Sequence, residues 1–372
     1  MEEPIRILML FTIMNRGGAE TMVMNYYRNI DRTKVQFDFM VHREERGAYD
    51  DEIEALGGRI YRMMPLHPLT FGKYQKQIAK FFDEHQEYKI IHGHCSELGY
   101  FIYKEAYKRK IPVIIAHAHN PKAFIDTKWL FRTYFKHAMR KYINLYFACG
   151  RESAIWLFGE KLGEKAIIQY NAIDPSIFTY SVEERRKIRN QLNISNETIV
   201  VGHIGRITRQ KNHHFLIKTF NQFHSKHPNS ILLLIGNGEL EKEIKRQIYR
   251  YHLEKAVMFL GIRRDIPSLM KAMDIFVFPS HYEGLGVVLI EAQAASLPCV
   301  VSKNIPQEAF ITDYIKAQDL KKSISDWCND IEYMLHKKRS PSITDKIEKH
   351  HYSIKNQAEW LQNYYLEQWQ KH

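Results

Sequence analysis

The chain reads as an α/β protein made of two doubly wound parallel-sheet domains, and three observations carry that reading. Its 372 residues exceed one ordinary core and suit two domains of common size. Short aliphatic runs alternate with longer amphipathic ones throughout, the pattern of parallel strands covered by helices on both faces. The series stops and restarts near "IIQYNAIDPSIF" (167–178), where an apolar run gives way to Asn, Asp and Pro. The break predicts domains at 1–172 and 173–352. Hydrophobic residues at 45% and charged residues at 26% give a globular balance, not a disordered one.

In chain order the predicted strands of the first half are "IRILMLF", "QFDFMV", "RIYRM", "KIIHGH", "PVIIAH" and "NLYFAC"; those of the second are "TIVVGHIG", "SILLLIG", "VMFLG", "DIFVFPS" and "PCVVS". After the break, "SVEERRKIRNQL" (181–192) reads as a charged helix. Beyond Asn212, Leu216, Phe220 and Phe223 recur at helical spacing until Pro228 ends the helix. The final segment carries Trp360, Leu361, Tyr364, Tyr365 and Trp369, an aromatic face too large to leave in water.

Charge and cysteine usage bound the function. A formal charge of +12 implies an anionic partner: nucleic acid, membrane surface or phosphorylated substrate. Cys95, Cys149, Cys299 and Cys328 are scattered, with neither zinc-site nor disulfide spacing, and read as reduced, mostly buried thiols. No apolar run approaches the roughly 18 residues that cross a bilayer, and "MEEPIRILML" has acids where a signal peptide has Lys or Arg. A cytoplasmic location is expected.

Open parallel sheets bind ligands beyond the carboxyl ends of their strands, so candidate residues are expected there, in the cleft between the domains. Four loops of the second half qualify. In "GHIGRITRQKN" (202–212), Arg206 and Lys211 follow Gly205 before a helix whose dipole adds about half a positive charge, so the loop is either a pyrophosphate site or a solvated basic turn. "IGNGELE" (235–241) is a glycine turn, Gly236 and Gly238, that opens a helix; by itself such a pair is more often only a tight turn. In "FLGIRRD" the backbone at Ile262, after Gly261, can face a planar base. In "PSHYEGLGVVLIEA" (279–292), Gly284 and Gly286 let the amides of Val287 and Val288 approach a ligand at a helix start, with Glu283 and Glu291 bracketing the run.

The order of these motifs, Gly-Arg, then Lys-Asn, then Gly-x-Gly-x-Leu, then two glutamates with seven residues between them, resembles the donor-binding half of glycosyltransferase family 4 (group 1), the retaining GT-B enzymes. In the first half, "NRGGAE" (15–20), with Gly17 and Gly18, is similar to that family's glycine loop. "AHAHN" (116–120) matches its histidine loop, and "NAID" (171–174) its hinge. The aromatic helix 353–372 resembles the one that crosses back to the first domain.

The resemblance implies a GT-B fold of two Rossmann-like domains, an acceptor side at 1–172 and a nucleotide-sugar donor side at 173–352. It implies that Glu291 accepts from the ribose hydroxyls and that Glu283 and His119 face the transferred sugar, though His119 also reads as a satisfied loop histidine. Three positions depart from the family pattern: Ser296 stands where Gly is usual, Ala172 replaces the hinge Gly, and "NIPQEAF" (304–310) replaces a glycine-containing loop. These changes put loop geometry and sugar choice in question.

There is no Asp-any-Asp motif, the usual anchor of a metal–nucleotide complex, so Arg206 and Lys211 are expected to neutralise the diphosphate without metal or cofactor. For His92/His94 and His117/His119 the expectation is that strand alternation delivers at most one ring of each pair to the cleft.

The expected reaction moves a sugar from a nucleotide diphosphate sugar, with UDP as the expected nucleotide, to a glycan or lipid-linked acceptor hydroxyl in surface-polysaccharide assembly. A nucleotide-sugar epimerase on the same scaffold, or a noncatalytic nucleotide-sugar-binding partner, is the alternative. No stacking-aromatic motif supports nucleic acid, and no Gly-x-Gly-x-x-Gly supports a dinucleotide oxidoreductase. Finally, "KWLFRTYFKHAMRKY" (128–142) places Lys128, Arg132, Lys136 and Arg140 in one helical stripe beside Phe131, Phe135, Met139 and Tyr142. Either the helix lies on an anionic membrane, or its aromatic face packs inside and the cations are solvated.

Overall fold

The computed structural model describes residues 3–119, 129–340 and 343–372. Two compact units emerge, one of residues 1–172 with 353–372 and the other of residues 173–352. Each is a parallel sheet with helices on both faces.

The first unit holds β1 (Ile5–Phe11), β2 (Val35–Val41), β3 (Ile60–Arg62), β4 (Ile90–Gly93), β5 (Val113–Ala118), β6 (Leu145–Ala148) and β7 (Ile167–Ile168), in spatial order β3-β2-β1-β4-β5-β6-β7. The alternation of side chains along β1 explains its unbroken apolar sequence. Ile7, Met9 and Phe11 enter one core with the helices Gly18–Asn29 and Ile354–Gln370, while Leu8 and Leu10 enter the other with Phe71–Glu84 and Tyr100–Lys108. The aromatic C-terminal helix therefore belongs to the first unit, where Leu361 and Tyr365 are buried.

The second unit holds β8 (Ile199–Ile204), β9 (Ser230–Ile235), β10 (Val257–Gly261), β11 (Ile275–Phe278), β12 (Cys299–Ser302) and β13 (Ile315–Gln318), ordered β10-β9-β8-β11-β12-β13. Leu216, Phe220 and Phe223 of the helix His213–Lys226 lie in its core, as their spacing predicts. Ser181 caps the helix Val182–Gln191 by accepting from the Glu184 amide. β13, "IKAQ", falls outside the predicted strands because it is a polar edge strand with no apolar run.

In both sheets the strand order reverses once, at β1/β4 and at β8/β11. Such reversals leave a crevice at the carboxyl ends, where the loops after the paired strands diverge.

The helix Trp129–Ala138 corrects the reading of its basic stripe. Arg132 Nε donates to Glu97 Oε1 at 2.6 Å, Lys136 Nζ sits 4.8 Å from the Trp156 ring centroid, and Arg140 Nη2 donates to the Leu157 carbonyl at 3.0 Å. These cations bind the protein's own groups and are neither a free membrane-facing stripe nor merely solvated. Lys128 lies outside the described residues. Phe135 and Met139 are buried, but Phe131 is exposed along with Trp129, Leu130 and Tyr134, so the face turned to solvent is apolar. No helix among the described residues is long and apolar enough to cross a membrane.

Candidate active site

At the β8/β11 reversal the loops are laced together by backbone contacts. The amide of His281 donates to the Gln210 carbonyl at 2.8 Å, and Asn212 Nδ2 donates to the Pro279 carbonyl at 3.2 Å. Gln210 Nε2 reaches the Tyr282 carbonyl at 3.0 Å. This lacing brings Lys211 to Glu283, Nζ to Oε1 at 2.7 Å, with both side chains largely buried. The ammonium also lies 4.7 Å from the Phe278 ring centroid. Lys211 is thereby held in place between an acid and an aromatic ring.

Arg206, on the same loop, behaves differently. It is exposed, and its nearest acid is Glu239 at 3.8 Å. The structure thus joins two of the predicted residues, Lys211 and Glu283, and leaves Arg206 extended in solvent, a cation held loosely enough to take an anion.

The glycines explain how closely these loops approach. A Cβ on Gly205 would press on the Lys211 stem at 3.2 Å. Gly236, at φ +129°, has the Gly205 carbonyl oxygen 2.2 Å from where a Cβ would stand, and Gly238 meets the Ile207 carbonyl at 2.3 Å. Any side chain there would separate the loops after β8 and β9.

Gly286, at φ +79°, precedes the helix Val287–Ala294, whose first amides have no side-chain cap. The amides of Val287 and Val288 thus start an uncapped helix, a favourable place for negative charge. Glu291 sits on that helix. Its carboxyl has no hydrogen-bond partner among the described residues, and burial pushes its pKa up to about 7. Gln293, on the same helix, accepts from the amides of Ile311 and Thr312 and donates to the carbonyl of Ala309, which anchors the unusual 304–310 loop. Ile262 is exposed in the loop after β10.

Three buried polar groups in this region were absent from the sequence reading. His203 Nε2, His213 Nδ1 and Ser280 Oγ have no hydrogen-bond partner among the described residues, and the two rings are 4.6 Å apart. Burial pushes His213 down to about 4. The signal was a histidine inside an otherwise apolar strand, "IVVGHI".

In the first unit, Gly17 precedes the helix Gly18–Asn29, and the Glu20 carboxylate folds back to within 2.2 Å of where a Gly17 Cβ would stand; Gly18 has open space around it. The histidine expectation is overturned. Residues two apart on a strand share a face, so each pair presents both rings on the same side. His92 and His94 stack at 4.5 Å, His117 and His119 at 4.3 Å, His92 Nε2 meets His117 Nδ1 at 3.1 Å, and His94 Nδ1 meets His119 Nε2 at 2.9 Å. Burial holds His119 down at about 4 and His92 at about 3.

Comparison with known proteins places this geometry. The sequence profile of the glycosyl transferases group 1 matches residues 184–358. EpsF of Bacillus subtilis (strain 168), assigned as a glycosyltransferase, is 34% identical over 335 residues, covering 88% of this chain and 86% of its own. The UDP-Gal:α-D-GlcNAc-diphosphoundecaprenol α-1,3-galactosyltransferase of Escherichia coli is 26% identical over 72% of each chain. Among solved structures, Anabaena HepE with UDP and glucose superposes with a TM-score of 0.73 at 22% identity, covering 95% of this chain and 94% of the other, which shows the GT-B fold. With the EpsF match spanning most of both sequences, the chain belongs to the group 1 glycosyltransferases and is a glycosyltransferase.

Proposed function

We propose that this enzyme moves a sugar from a UDP-sugar to a hydroxyl of a lipid-linked glycan, with retention at the anomeric carbon, in the assembly of a surface polysaccharide. One observation carries the donor part of the reading: a buried Lys211–Glu283 pair and an unpartnered, partly desolvated Glu291 stand on the loops of one strand-order reversal. A carboxyl without protein donors suits a ligand that brings hydroxyls, and Glu291 takes the ribose. Glu283 takes the transferred sugar.

Lys211 and Arg206 carry the diphosphate. Transfer passes through an oxocarbenium-like state while negative charge builds on the leaving diphosphate, and these two cations, Lys211 held in place and Arg206 free to swing in, stabilise that charge without a metal. Gly205, Gly236 and Gly238 keep the β8 and β9 loops close enough for the phosphates to meet backbone, the amides of Val287 and Val288 add positive potential, and Ile262 lies under the base. From the family resemblance, His119, Gly17 and Gly18 of the first unit are also assigned to the donor, His119 to its sugar.

The acceptor class follows the Escherichia coli relative, whose name specifies a diphosphoundecaprenol-linked sugar. Membrane contact is assigned to the exposed Trp129, Leu130, Phe131 and Tyr134, in place of the occupied basic stripe. The test is a panel of UDP-sugars incubated with and without diphosphoundecaprenol-linked monosaccharide. A disaccharide product formed only with acceptor is expected. A new nucleotide sugar formed without acceptor would establish an epimerase instead.

A further inference from the structure

The four histidines at the carboxyl ends of β4 and β5 form a cluster that the transfer chemistry uses only at His119. His92 and His117 are fully buried, and His94 is 7% exposed. One ring nitrogen from each of His92, His94 and His117 lies within 4.8 Å of the others.

As a set of neutral hydrogen-bonded rings the cluster does not close. His92 Nδ1 meets the Tyr365 hydroxyl at 2.6 Å, and the chain Tyr365–His92–His117 has three protons for two hydrogen bonds. One end must therefore carry a proton with no acceptor: the Tyr365 hydroxyl in one tautomer, His117 Nε2–H in the other. His117 Nε2 has no partner among the described residues, nor has His94 Nε2. Leaving buried polar atoms unmatched destabilises the folded chain.

We propose that His92, His94 and His117 form a binding site for one divalent transition ion of Zn²⁺ type. An ion would use the Nε2 lone pairs of His94 and His117, which no donor among the described residues reaches, and would replace the His92–His117 hydrogen bond to engage His92 Nε2. An all-imidazole set with no carboxylate or thiolate selects zinc, copper, nickel or cobalt over magnesium or calcium. Zinc–nitrogen bonds of about 2.0–2.1 Å in tetrahedral geometry put ligand nitrogens roughly 3.3 Å apart, so the widest pair must close by up to about 1.5 Å through ring rotation.

Tyr365, reaching His92 from the C-terminal helix, is the outer contact that metal-bound histidines characteristically have. Three imidazoles leave one position for water, hydroxide or His119. The ion would tie β4, β5 and the C-terminal helix together within the first unit. The site adjoins His119, which contacts His94, but does not rest on the sugar-transfer reading.

The test uses the full chain without a polyhistidine tag, dialysed against ZnCl₂ and assayed for metal by mass spectrometry, beside His94→Asn and His117→Gln. The expected result is about one tightly held equivalent in the wild-type protein and an affinity at least about tenfold weaker in each variant. With nineteen histidines in the chain, equal binding by wild type and folded variants would mean surface capture and would overturn the proposal. Should either variant fail to fold, X-ray absorption of the wild-type protein carrying one equivalent of zinc decides the matter. Three or four imidazoles around the ion support the site, and an oxygen-dominated shell overturns it.

Discussion

The two units solve the same topological problem with opposite chemistry. Near the β8/β11 reversal the second unit gathers charge: Lys211 against Glu283, Arg206 in solvent, and Glu291 without a partner. At the ends of β4 and β5, beside the β1/β4 reversal, the first unit gathers four stacked imidazoles, three of them buried and His119 partly exposed. A strand-order reversal supplies a place for function but does not dictate which function is placed there. Charge at the second reversal suits a diphosphate; neutral rings at the first suit a lone-pair acceptor or a hydrogen-bonding sugar.

The largest expected effect separates the two regions directly. Lys211→Ala removes a fixed cation and leaves Glu283 buried without its partner, so kcat/KM should fall about 30- to 1000-fold, or ~2–4 kcal/mol. Arg206→Ala, in a side chain with only a 3.8 Å ion pair, should lower kcat/KM with no change in thermal stability. Steady-state assays beside thermal melts check both, and near-wild-type turnover in Lys211→Ala would remove the diphosphate role.

A pH titration should distinguish the units next. The rings of His92, His94, His117 and His119 have pKa values lowered by burial, so the folded state binds fewer protons than the unfolded chain. Their contribution is fully present above the ordinary histidine pKa of about 6.5 and declines as pH falls toward the lowered folded values, about 3 for His92 and about 4 for His119, by up to about 1.4 kcal/mol per pH unit for each ring. Hydrogen exchange followed from pH 7 to pH 5 should show β4 and β5 losing protection, and His117→Gln should flatten that dependence. A pH-independent pattern in these strands would mean the rings are not held neutral.

The smallest effect concerns the apolar face of the helix Trp129–Ala138. Replacing Trp129, Leu130 and Tyr134 with Ser should lower binding to anionic vesicles several-fold in a flotation assay and leave UDP affinity unchanged. If the triple variant floats as well as the parent, this helix is not the membrane contact.

Much of the second unit was legible because its signals are local. Each loop motif is a few residues long and sits between an apolar run and an amphipathic one, so Lys211, Glu283 and Gly286 could be placed by strand and helix alone. Family likeness supplied the roles. Ser296, noted as a departure from glycine, takes a left-handed φ of +51° and donates to the Ser340 carbonyl at 2.7 Å, which shows why glycine suits that position.

What escaped depends on pairing between distant segments. The histidine square forms only when β4 and β5 lie side by side in register, His92 opposite Ile115, and neither strand alone reveals it. The same holds for the basic stripe: Arg132, Lys136 and Arg140 look solvent-facing at their helical spacing until Glu97, Trp156 and the Leu157 carbonyl are brought against them. β13 was missed because an edge strand needs no apolar run.

On the proposed donor role, Glu291 is held at a cost to the empty protein so that it can meet a nucleotide. Its raised pKa means its ionisation opposes folding: stability is unaffected below the ordinary glutamate pKa near 4.5 and is lost as pH rises through about 7. Glu291→Gln should therefore raise the melting temperature at pH 8 and leave it unchanged near pH 4.5, while the Kd for UDP, measured by titration calorimetry at pH 8, rises about tenfold. Glu283→Gln, measured alongside, should keep the wild-type Kd for UDP and lose transfer. Unchanged UDP affinity in Glu291→Gln, or equal losses of affinity in both variants, would contradict the account.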